Sequence, residues 1–211
     1  MKDILFATGN AGKMKEIREI LEDLGVSVYS LKDAGIDAEI EENGTTFAQN
    51  ARLKAEGIAA WCKRNGLPAL PEKRIEDFIV LADDSGLEVD RLNREPGVYS
   101  ARYMGHDTSY REKNANIIER LDGVPKEERT ARFVCAIAAV FPDGSCEVAE
   151  GTIEGYIGWE ERGENGFGYD PIFYLYENDL STAELSPEKK NGISHRGKAL
   201  QKMKEMLRKG E

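Results

Sequence analysis

The sequence predicts an α/β fold built on a long, twisted mixed β-sheet flanked by helices, and three observations support this class. Short apolar runs typical of buried strands alternate with segments that carry apolar residues at helical spacing. The chain of 211 residues is 40% apolar, which is enough to bury a substantial core in one domain or two small lobes. No internal repeat or low-complexity tract interrupts this order. We therefore predict one domain over residues 1–211, without a separate linker.

The first two elements are a strand and a helix joined by the turn "TGNAGK". Apolar residues 4–7 predict the strand, and Gly25 ends a helix whose stripe comprises Met14, Ile17, Ile20, Leu21 and Leu24. The N–H groups of a helix start attract anions, and Lys13 adds a positive charge. The turn matches neither the Walker A loop nor the GxGxxG fingerprint. A plain glycine turn is the alternative, but the polar cluster of Thr8, Asn10 and Lys13 favours a phosphate site.

A second helix begins where Thr46–Gln49 has the form of a capping box. Its apolar stripe comprises Ala48, Ala51, Ala55, Ile58, Ala59 and Cys62. Asn50 and Lys54 lie one turn apart on the same face of this helix. The polar segment 64–77 contains two prolines and predicts a surface loop.

The remaining elements follow the same alternation. A buried strand at Phe78–Ala82 is predicted to end abruptly at "DDSG", and "LEVD" predicts a further short strand. Residues 108–121 predict a helix, and two long strands flank the turn at residues 142–145. A glycine-rich loop, "RGENGFGYDPIF", comes next. Ser194 then caps a final helix whose stripe includes Ala199, Leu200, Met203 and Leu207.

Adjacent carboxylates follow the strand Phe78–Ala82, at Asp83 and Asp84. Ligands bind beyond the carboxyl ends of strands in open α/β sheets, so this loop and the "TGNAGK" turn are expected to face one cleft. Carboxylates and substrate phosphates together hold Mg²⁺, and Glu41 or Glu42 offers a third carboxylate. An Asx turn at the aspartates and a helix-dipole role for the glutamates are the alternatives.

Aromatic and basic residues near the C-terminus form a second group. Phe167 lies between two glycines, so its ring can lie flat against a closely approaching ligand such as a purine base. An aromatic-rich hairpin loop is the alternative. His195 and Arg196 begin the final helix, where positive charges interact unfavourably with the helix dipole unless an anionic or polar ligand compensates them. Lys189 and Lys190 also fit solvated loop charges.

Composition narrows the class of partner. A net charge of −10 and a pI near 4.9 argue against non-specific binding to nucleic acid. Cys62, Cys135 and Cys146 show no CxxC or zinc spacing, and no apolar leader precedes residue 10, so we expect inert thiols in a reducing cytoplasm. The longest apolar run, Val134–Phe141, is too short to span a membrane.

Six motifs in order carry a specific resemblance: "TGNAGK", "EENGTTFAQNARLKA", "ADDSGLEVD", "PGVYSARY", "GFGYDPIF" and "ISHRGKAL". From residue 5 to about residue 200 the chain resembles the inosine-triphosphate pyrophosphatase family, which hydrolyses deaminated purine nucleoside triphosphates. The resemblance implies two lobes around a central nucleotide-binding cleft, and a homodimer. It also implies Mg²⁺-dependent cleavage of ITP, dITP and XTP to the monophosphate and pyrophosphate. Such an activity cleanses the nucleotide pool and prevents incorporation of these bases into DNA and RNA.

The resemblance also implies roles for individual residues. Glu42 and Asp84 would bind the metal, Asp84 would serve as general base toward water, and Asp83 and Ser85 would flank that site. The triphosphate would be held by Thr8, Gly9, Asn10, Ala11, Gly12, Lys13 and Lys54. The nucleoside would be held by Phe167, Gly168, Tyr169, Asp170, Lys190, His195 and Arg196.

Two features depart from the family pattern. Gln49 stands where the family often has Glu, which removes one negative charge near the cleft. Segment 64–77 is longer than expected, which predicts an altered surface or dimer contact, or a lid just before Asp83. Two other functions stay open: a non-catalytic nucleotide sensor, and a broader Mg²⁺-dependent nucleotide phosphatase.

Overall fold

The computed structural model describes residues 2–209, and within them a mixed sheet of seven strands and five α-helices confirms the predicted fold class. The strands are β1 Asp3–Phe6, β2 Val28–Ser30, β3 Phe78–Val89, β4 Glu95–Pro96, β5 Thr130–Val140, β6 Cys146–Ile157 and β7 Phe173–Tyr174. The helices are α1 Ala11–Leu21, α2 Phe47–Asn65, α3 Tyr110–Arg120, α4 Pro187–Ile193 and α5 His195–Lys209. Short 3₁₀ turns occupy Glu22–Leu24, Ile75–Asp77, Asp90–Leu92, Gly97–Arg102, Lys126–Glu128, Asp170–Ile172 and Thr182–Glu184.

The strands hydrogen-bond in the order β2-β1-β3-β5-β6-β7, and β4 pairs with β3. β1 is parallel to both β2 and β3, whereas β3 with β4 and β6 with β7 are antiparallel. The chain divides into two compact units. The first contains the chain up to Asp84, Cys135–Gly151 and the chain from Lys198, and the second contains Ser85–Val134 and Thr152–Gly197.

The core of the first unit forms where helices cover the pleated faces of the strands. One apolar cluster joins α1 and α5 to alternate strand residues, among them Ile4, Phe6, Ile79 and Leu81. The intervening residues Phe78 and Val80 line a shallow groove with Ala59 of α2. α2 therefore lies on the strand face opposite α1 and α5, because successive side chains of a strand point to opposite faces.

The second unit has an apolar core of its own. α3 contributes Ile117 and packs against residues of β3, β5 and β6, including Leu87, Phe133 and Ile157. Hydrophobic side chains at the end of the glycine-rich loop, such as Ile172, complete this cluster.

The three cysteines of the chain are free thiols, and burial raises the pKa of the Cys62 thiol to about 11.

The prediction that the third strand ends at Ala82 is wrong. β3 continues without interruption through Asp83 and Asp84 to Val89. β1 pairs only with Phe78–Leu81, and the distal end of β3 pairs with β4 instead. β4 pairs only with Glu88 and Val89, so the polar "DDSG" segment lies between the stretches that β1 and β4 cover, and it stays within the strand although its composition is typical of a turn. The carboxylates consequently lie within a strand, directly beyond the stretch that β1 covers.

Two further local predictions need correction. Lys189 and Lys190 lie in α4, whose first turn is capped by Ser186, and not in a loop. Gln49 does not complete a reciprocal capping box with Thr46: it caps the backbone N–H of Thr45 at 2.8 Å, whereas the Thr46 hydroxyl accepts from the N–H of Gln49.

The segment after α2, residues 64–77, is anchored near the start of β3, at a distance from Asp83. Lys73 Nζ contacts Asp3 Oδ2 at 2.7 Å and lies 5.6 Å and 5.7 Å from the ring centroids of Tyr29 and Phe78. Asp3 and Phe78 are paired at the start of β1 and β3. Five residues of strand, about 16 Å, separate Phe78 from Asp83. This anchoring argues for a structural role and does not support a lid over Asp83.

Candidate active site

The turn between β1 and α1 is built by short-range hydrogen bonds. Asn10 is the N-cap of α1, and its Oδ1 accepts from the backbone N–H of Lys13 at 3.0 Å. The Thr8 hydroxyl accepts from the N–H of Asn10 at 3.1 Å. A side chain at Gly9 would meet no atom within 4 Å, so there is open space beside the turn. The first N–H groups of a helix lack intrahelical acceptors, and this helix start can therefore bind an anion.

Lys13 connects this turn to β3. Its Nζ lies 2.9 Å from Oδ2 of Asp83, which is only 1% exposed. Sequence reasoning assigned Asp83 a flanking position, and the ion pair explains why a carboxylate is tolerated there. Asp83 thereby orients the ammonium group of Lys13 at the helix start.

Asp84, the next residue of β3, is held by Asn50 of α2. Asn50 donates from Nδ2 to Oδ2 of Asp84 at 3.0 Å. Burial, followed by the nearby Glu42 carboxylate, raises the pKa of Asp84 to about 6, although the Asn50 hydrogen bond and the cations Lys54 and Lys13 lower it. A carboxyl with this pKa suits a group that must accept a proton near neutral pH.

Lys54 binds Glu42 and lies close to β3. Its Nζ lies 2.7 Å from Oε1 of Glu42 and 3.4 Å from the backbone carbonyl of Asp83. Burial opposes the charge of Lys54, but Glu42, Asp83 and Asp84 outweigh it and raise the pKa of the ammonium group. The first unit thus brings together two cations and three carboxylates from four separate stretches of sequence.

The carboxylates of Glu42 and Asp84 are the candidates for holding a metal ion. They are close enough for the charge of Glu42 to disfavour ionisation of Asp84. Within residues 2–209 no group of three His, Cys, Asp or Glu side chains is arranged as a closed metal site. Mg²⁺ is commonly held by one or two carboxylates with waters and substrate phosphates, so this two-carboxylate donor set fits Mg²⁺.

In the second unit, the glycine-rich loop presents Phe167. The flanking Gly166 and Gly168 have φ of +76° and +69°, a region that other residues rarely adopt. The Phe167 ring is 37% exposed, and Lys190 Nζ and Arg196 Cζ lie 5.0 Å and 5.6 Å from its centroid. An exposed ring beside two cations can stack on an electron-rich aromatic ligand.

The side chains of Tyr169 and Asp170, which belong to this loop, stabilise it by hydrogen bonds. The Tyr169 hydroxyl donates to the carbonyl of Ser100 at 2.8 Å, and the side chain is 4% exposed. Asp170 Oδ2 accepts from the N–H of Phe167 and from Lys190 Nζ, each at 2.8 Å. Both side chains are thus engaged with protein groups, and they support the loop.

Asp170 has one more partner, which the sequence did not reveal. Its Oδ1 accepts from the Thr182 hydroxyl at 2.8 Å. Thr182 occupies an unremarkable position in a 3₁₀ turn, and no local pattern marks it as part of this network.

His195 and Arg196 begin α5 as predicted, and Ser194 Oγ caps the helix by accepting from the N–H of Gly197 at 3.0 Å. The His195 ring stacks on Phe133 with centroids 4.8 Å apart. Arg196 is 2% exposed, and its Nη2 donates to the Ser85 hydroxyl at 3.2 Å. This hydrogen bond connects the start of α5 to the residue that follows Asp84.

A mixed sheet with a cation–carboxylate cluster beside the start of a helix is typical of α/β enzymes that act on phosphate groups. Within that class the chain belongs to the Ham1 family, whose sequence model matches residues 4–206. The family resemblance carried by the six motifs is thereby confirmed.

Similar proteins are found over the whole length of the chain. A protein named dITP/XTP pyrophosphatase from Bacillus subtilis is 45% identical over 207 residues, covering 98% of each chain. One of the same name from Geobacillus kaustophilus is 48% identical over 205 residues, covering 97% of this chain and 94% of the relative. The solved structure of the Staphylococcus aureus Ham1 protein is 38% identical, covers 100% of both chains and superposes with a TM-score of 0.83. Separately, no helix within residues 2–209 has the length and apolar character needed to cross a bilayer.

Proposed function

We propose that this chain hydrolyses the deaminated purine nucleoside triphosphates ITP, dITP and XTP to the nucleoside monophosphate and pyrophosphate. The names of its relatives support hydrolysis of non-standard purine triphosphates. The observation that carries the proposal is the cluster of Lys13, Lys54, Asp83, Asp84 and Glu42 around the start of α1. Phosphoryl chemistry depends on charge neutralisation and positioning, and this cluster supplies both.

The triphosphate occupies the helix start in this proposal. Its negative charge is met by the N–H groups of Gly9, Ala11 and Gly12 and by the ammonium groups of Lys13 and Lys54. Asp83 keeps Lys13 in place by the 2.9 Å ion pair. Thr8 and Asn10 fix the turn by their hydrogen bonds, so the anion site is formed before the substrate arrives.

Glu42 and Asp84 hold Mg²⁺ in this proposal, and the bound ion would neutralise phosphate charge during the reaction. Asp84 also acts as the general base. The water oxygen bonds to one of the two phosphorus atoms of the α,β-anhydride, and the bond from that phosphorus to the bridging oxygen breaks. The nucleoside monophosphate and pyrophosphate then separate, one carrying the water oxygen and the other the bridging oxygen. The proton of the water passes to the Asp84 carboxylate, which Asn50 holds in orientation at 3.0 Å.

Phe167 stacks on the purine base in this proposal, with Lys190, His195 and Arg196 around the nucleoside. Hypoxanthine and xanthine carry an oxygen where adenine carries an amino group. A hydrogen-bond donor such as Arg196 therefore pairs with hypoxanthine and xanthine but not with adenine. A site built around such hydrogen bonds rejects an unmatched analogue by roughly 10⁴-fold or more. Guanine shares that oxygen, and its exclusion depends on the pocket around its 2-amino group. A homodimer and a role in cleansing the nucleotide pool belong to the same proposal.

Product analysis tests the reaction. Wild type and Asp84→Asn are incubated with ITP, XTP, dGTP or ATP, with and without Mg²⁺, and pyrophosphate is measured separately from orthophosphate. We expect Mg²⁺-dependent pyrophosphate from ITP and XTP only, and none from the variant. Orthophosphate release from ATP would favour a broader phosphatase, and tight ITP binding without turnover would favour a sensor.

A further inference from the structure

Through Asn114, helix α3 is hydrogen-bonded to the residue before the glycine-rich loop and to Gly168 within it. This side chain is 1% exposed, and its Nδ2 donates to Oε1 of Glu161 at 2.7 Å and to the carbonyl of Gly168 at 3.3 Å. Glu161 and Gly168 stand on either side of the segment that contains Phe167. The Asn114 amide group therefore links the two parts of the chain that flank Phe167.

The neighbouring turn of α3 supports the same backbone by packing. Tyr110, four residues before Asn114, meets the Tyr169 ring edge-on at a centroid distance of 5.3 Å. A Cβ atom at Gly168 would lie 3.5 Å from the Tyr110 ring, in ordinary contact. α3 thus presents an aromatic ring and an amide to the peptide that follows Phe167.

The other side of the loop is bound to the chain that follows it. Asn165 donates from its backbone N–H to the carbonyl of Ala183 at 2.9 Å and from Nδ2 to that of Leu185 at 3.1 Å. With Asn114 on one side and Asn165 on the other, the loop is fixed while the Phe167 ring stays 37% exposed. A loop ordered in advance loses less conformational entropy when its ligand binds.

The chemistry of Asn114 indicates a role beyond packing. Its Oδ1 is buried and has no hydrogen-bond partner among the residues that the structure describes. A buried acceptor without a partner lowers the stability of the folded state, and an apolar side chain of similar size would avoid this loss. Such a replacement would, however, remove the hydrogen bonds from Asn114 to Glu161 and to the Gly168 carbonyl.

We propose that Asn114 is a positioning residue for base recognition: its hydrogen bonds to Gly168 and Glu161 hold the Phe167 ring in the orientation that stacks on the purine. The inference rests on the proposed function, because it assigns the base to Phe167. Asn114 does not touch the substrate in this role. It acts through the loop that does.

Asn114→Leu tests the role, with Asn114→Ser as a second variant in case leucine does not fit. We expect KM for ITP to rise about tenfold with kcat changed less than about twofold, since the two hydrogen bonds from Asn114 to Glu161 and Gly168 are lost. The melting temperature of Asn114→Leu should be equal to or above that of wild type. A purely structural role would instead lower the melting temperature and leave KM unchanged.

Asn116→Ala is the matched control, because Asn116 lies on the same helix but its side chain accepts a hydrogen bond from Tyr103. It should leave KM unchanged. Amide hydrogen exchange gives a readout that does not need activity, and exchange across residues 163–170 should accelerate in Asn114→Leu only.

The outcomes separate the two proposals. Unchanged exchange together with an unchanged KM would overturn the role of Asn114. A wild-type protein that releases no pyrophosphate from ITP would overturn the proposed function, and the exchange data would then decide by themselves whether Asn114 orders the loop.

Discussion

Asn50 connects Asp84, the proposed general base, to the segment that carries Glu42, the second candidate metal ligand. It donates from Nδ2 to Oδ2 of Asp84 at 3.0 Å, and its Oδ1 accepts from the backbone N–H of Gly44 at 2.8 Å. Gly44 lies two residues after Glu42. Asn50 is 2% exposed, so this amide, and not solvent, sets the orientation of Asp84 relative to Glu42.

Asn50→Ala is expected to lower kcat for ITP by about 10- to 100-fold, the usual effect of losing a residue that orients a metal ligand. The reason is that Asp84 loses its fixed orientation and the Gly44 segment loses its acceptor. Steady-state pyrophosphate release measures the effect. Gln49→Ala is the control, because the adjacent Gln49 side chain only caps Thr45. Equal rates in the Asn50 variant and wild type would contradict the orienting role.

Asp84→Asn is expected to abolish turnover and to stabilise the protein when EDTA removes divalent cations. Because burial raises the folded-state pKa of Asp84 to about 6, wild type loses stability as pH rises from about 4 through about 6. The variant has no carboxyl to ionise there. Its free energy of unfolding should exceed that of wild type by about 1–3 kcal/mol at about pH 8, with the difference vanishing near about pH 4.

Urea unfolding of both proteins across this pH range measures the difference. An excess stability of the variant that is independent of pH would show that the ionisation of Asp84 is not its source. A destabilised variant at alkaline pH would contradict the prediction outright.

Arg196→Ala is expected to reduce the preference for ITP over ATP by about 10- to 100-fold in kcat/KM, because the proposed donor to the base oxygen is lost. Metal binding should be unaffected. Arg91→Ala is the control, since Arg91 forms an exposed ion pair with Glu128 at 3.4 Å in the same unit. Circular dichroism checks that the variant folds, because Arg196 is 2% exposed. An unchanged ITP/ATP ratio in a folded variant would rule out this role.

Lys73→Met tests whether the long segment after α2 is structural. Loss of the contacts with Asp3, Tyr29 and Phe78 should lower the melting temperature by about 2–4 °C, a typical shift for a small destabilisation in a chain of this size. kcat and KM should not change. The exposed Lys32→Met provides the control. A fall in kcat at an unchanged melting temperature would instead indicate a lid.

The amino-acid sequence by itself determined the elements whose signals are local. Spacing of apolar residues and capping side chains predicted α1, α2 and α5, and the turn at residues 142–145 predicted the β5–β6 pair. Six short motifs in order were sufficient to place the chain in its family, whose sequence model matches residues 4–206.

Tertiary structure decided what depends on partners distant in the chain. β3 continues through Asp83 and Asp84, beyond the residues that β1 pairs and before those that β4 pairs, and no local pattern encodes that continuation. Lys13 and Asp83 are separated by 70 positions, and Asn50 and Asp84 by 34. Burial and pairing set the pKa of Asp84 and the exposure of Phe167, and both arise only when such distant segments pack together.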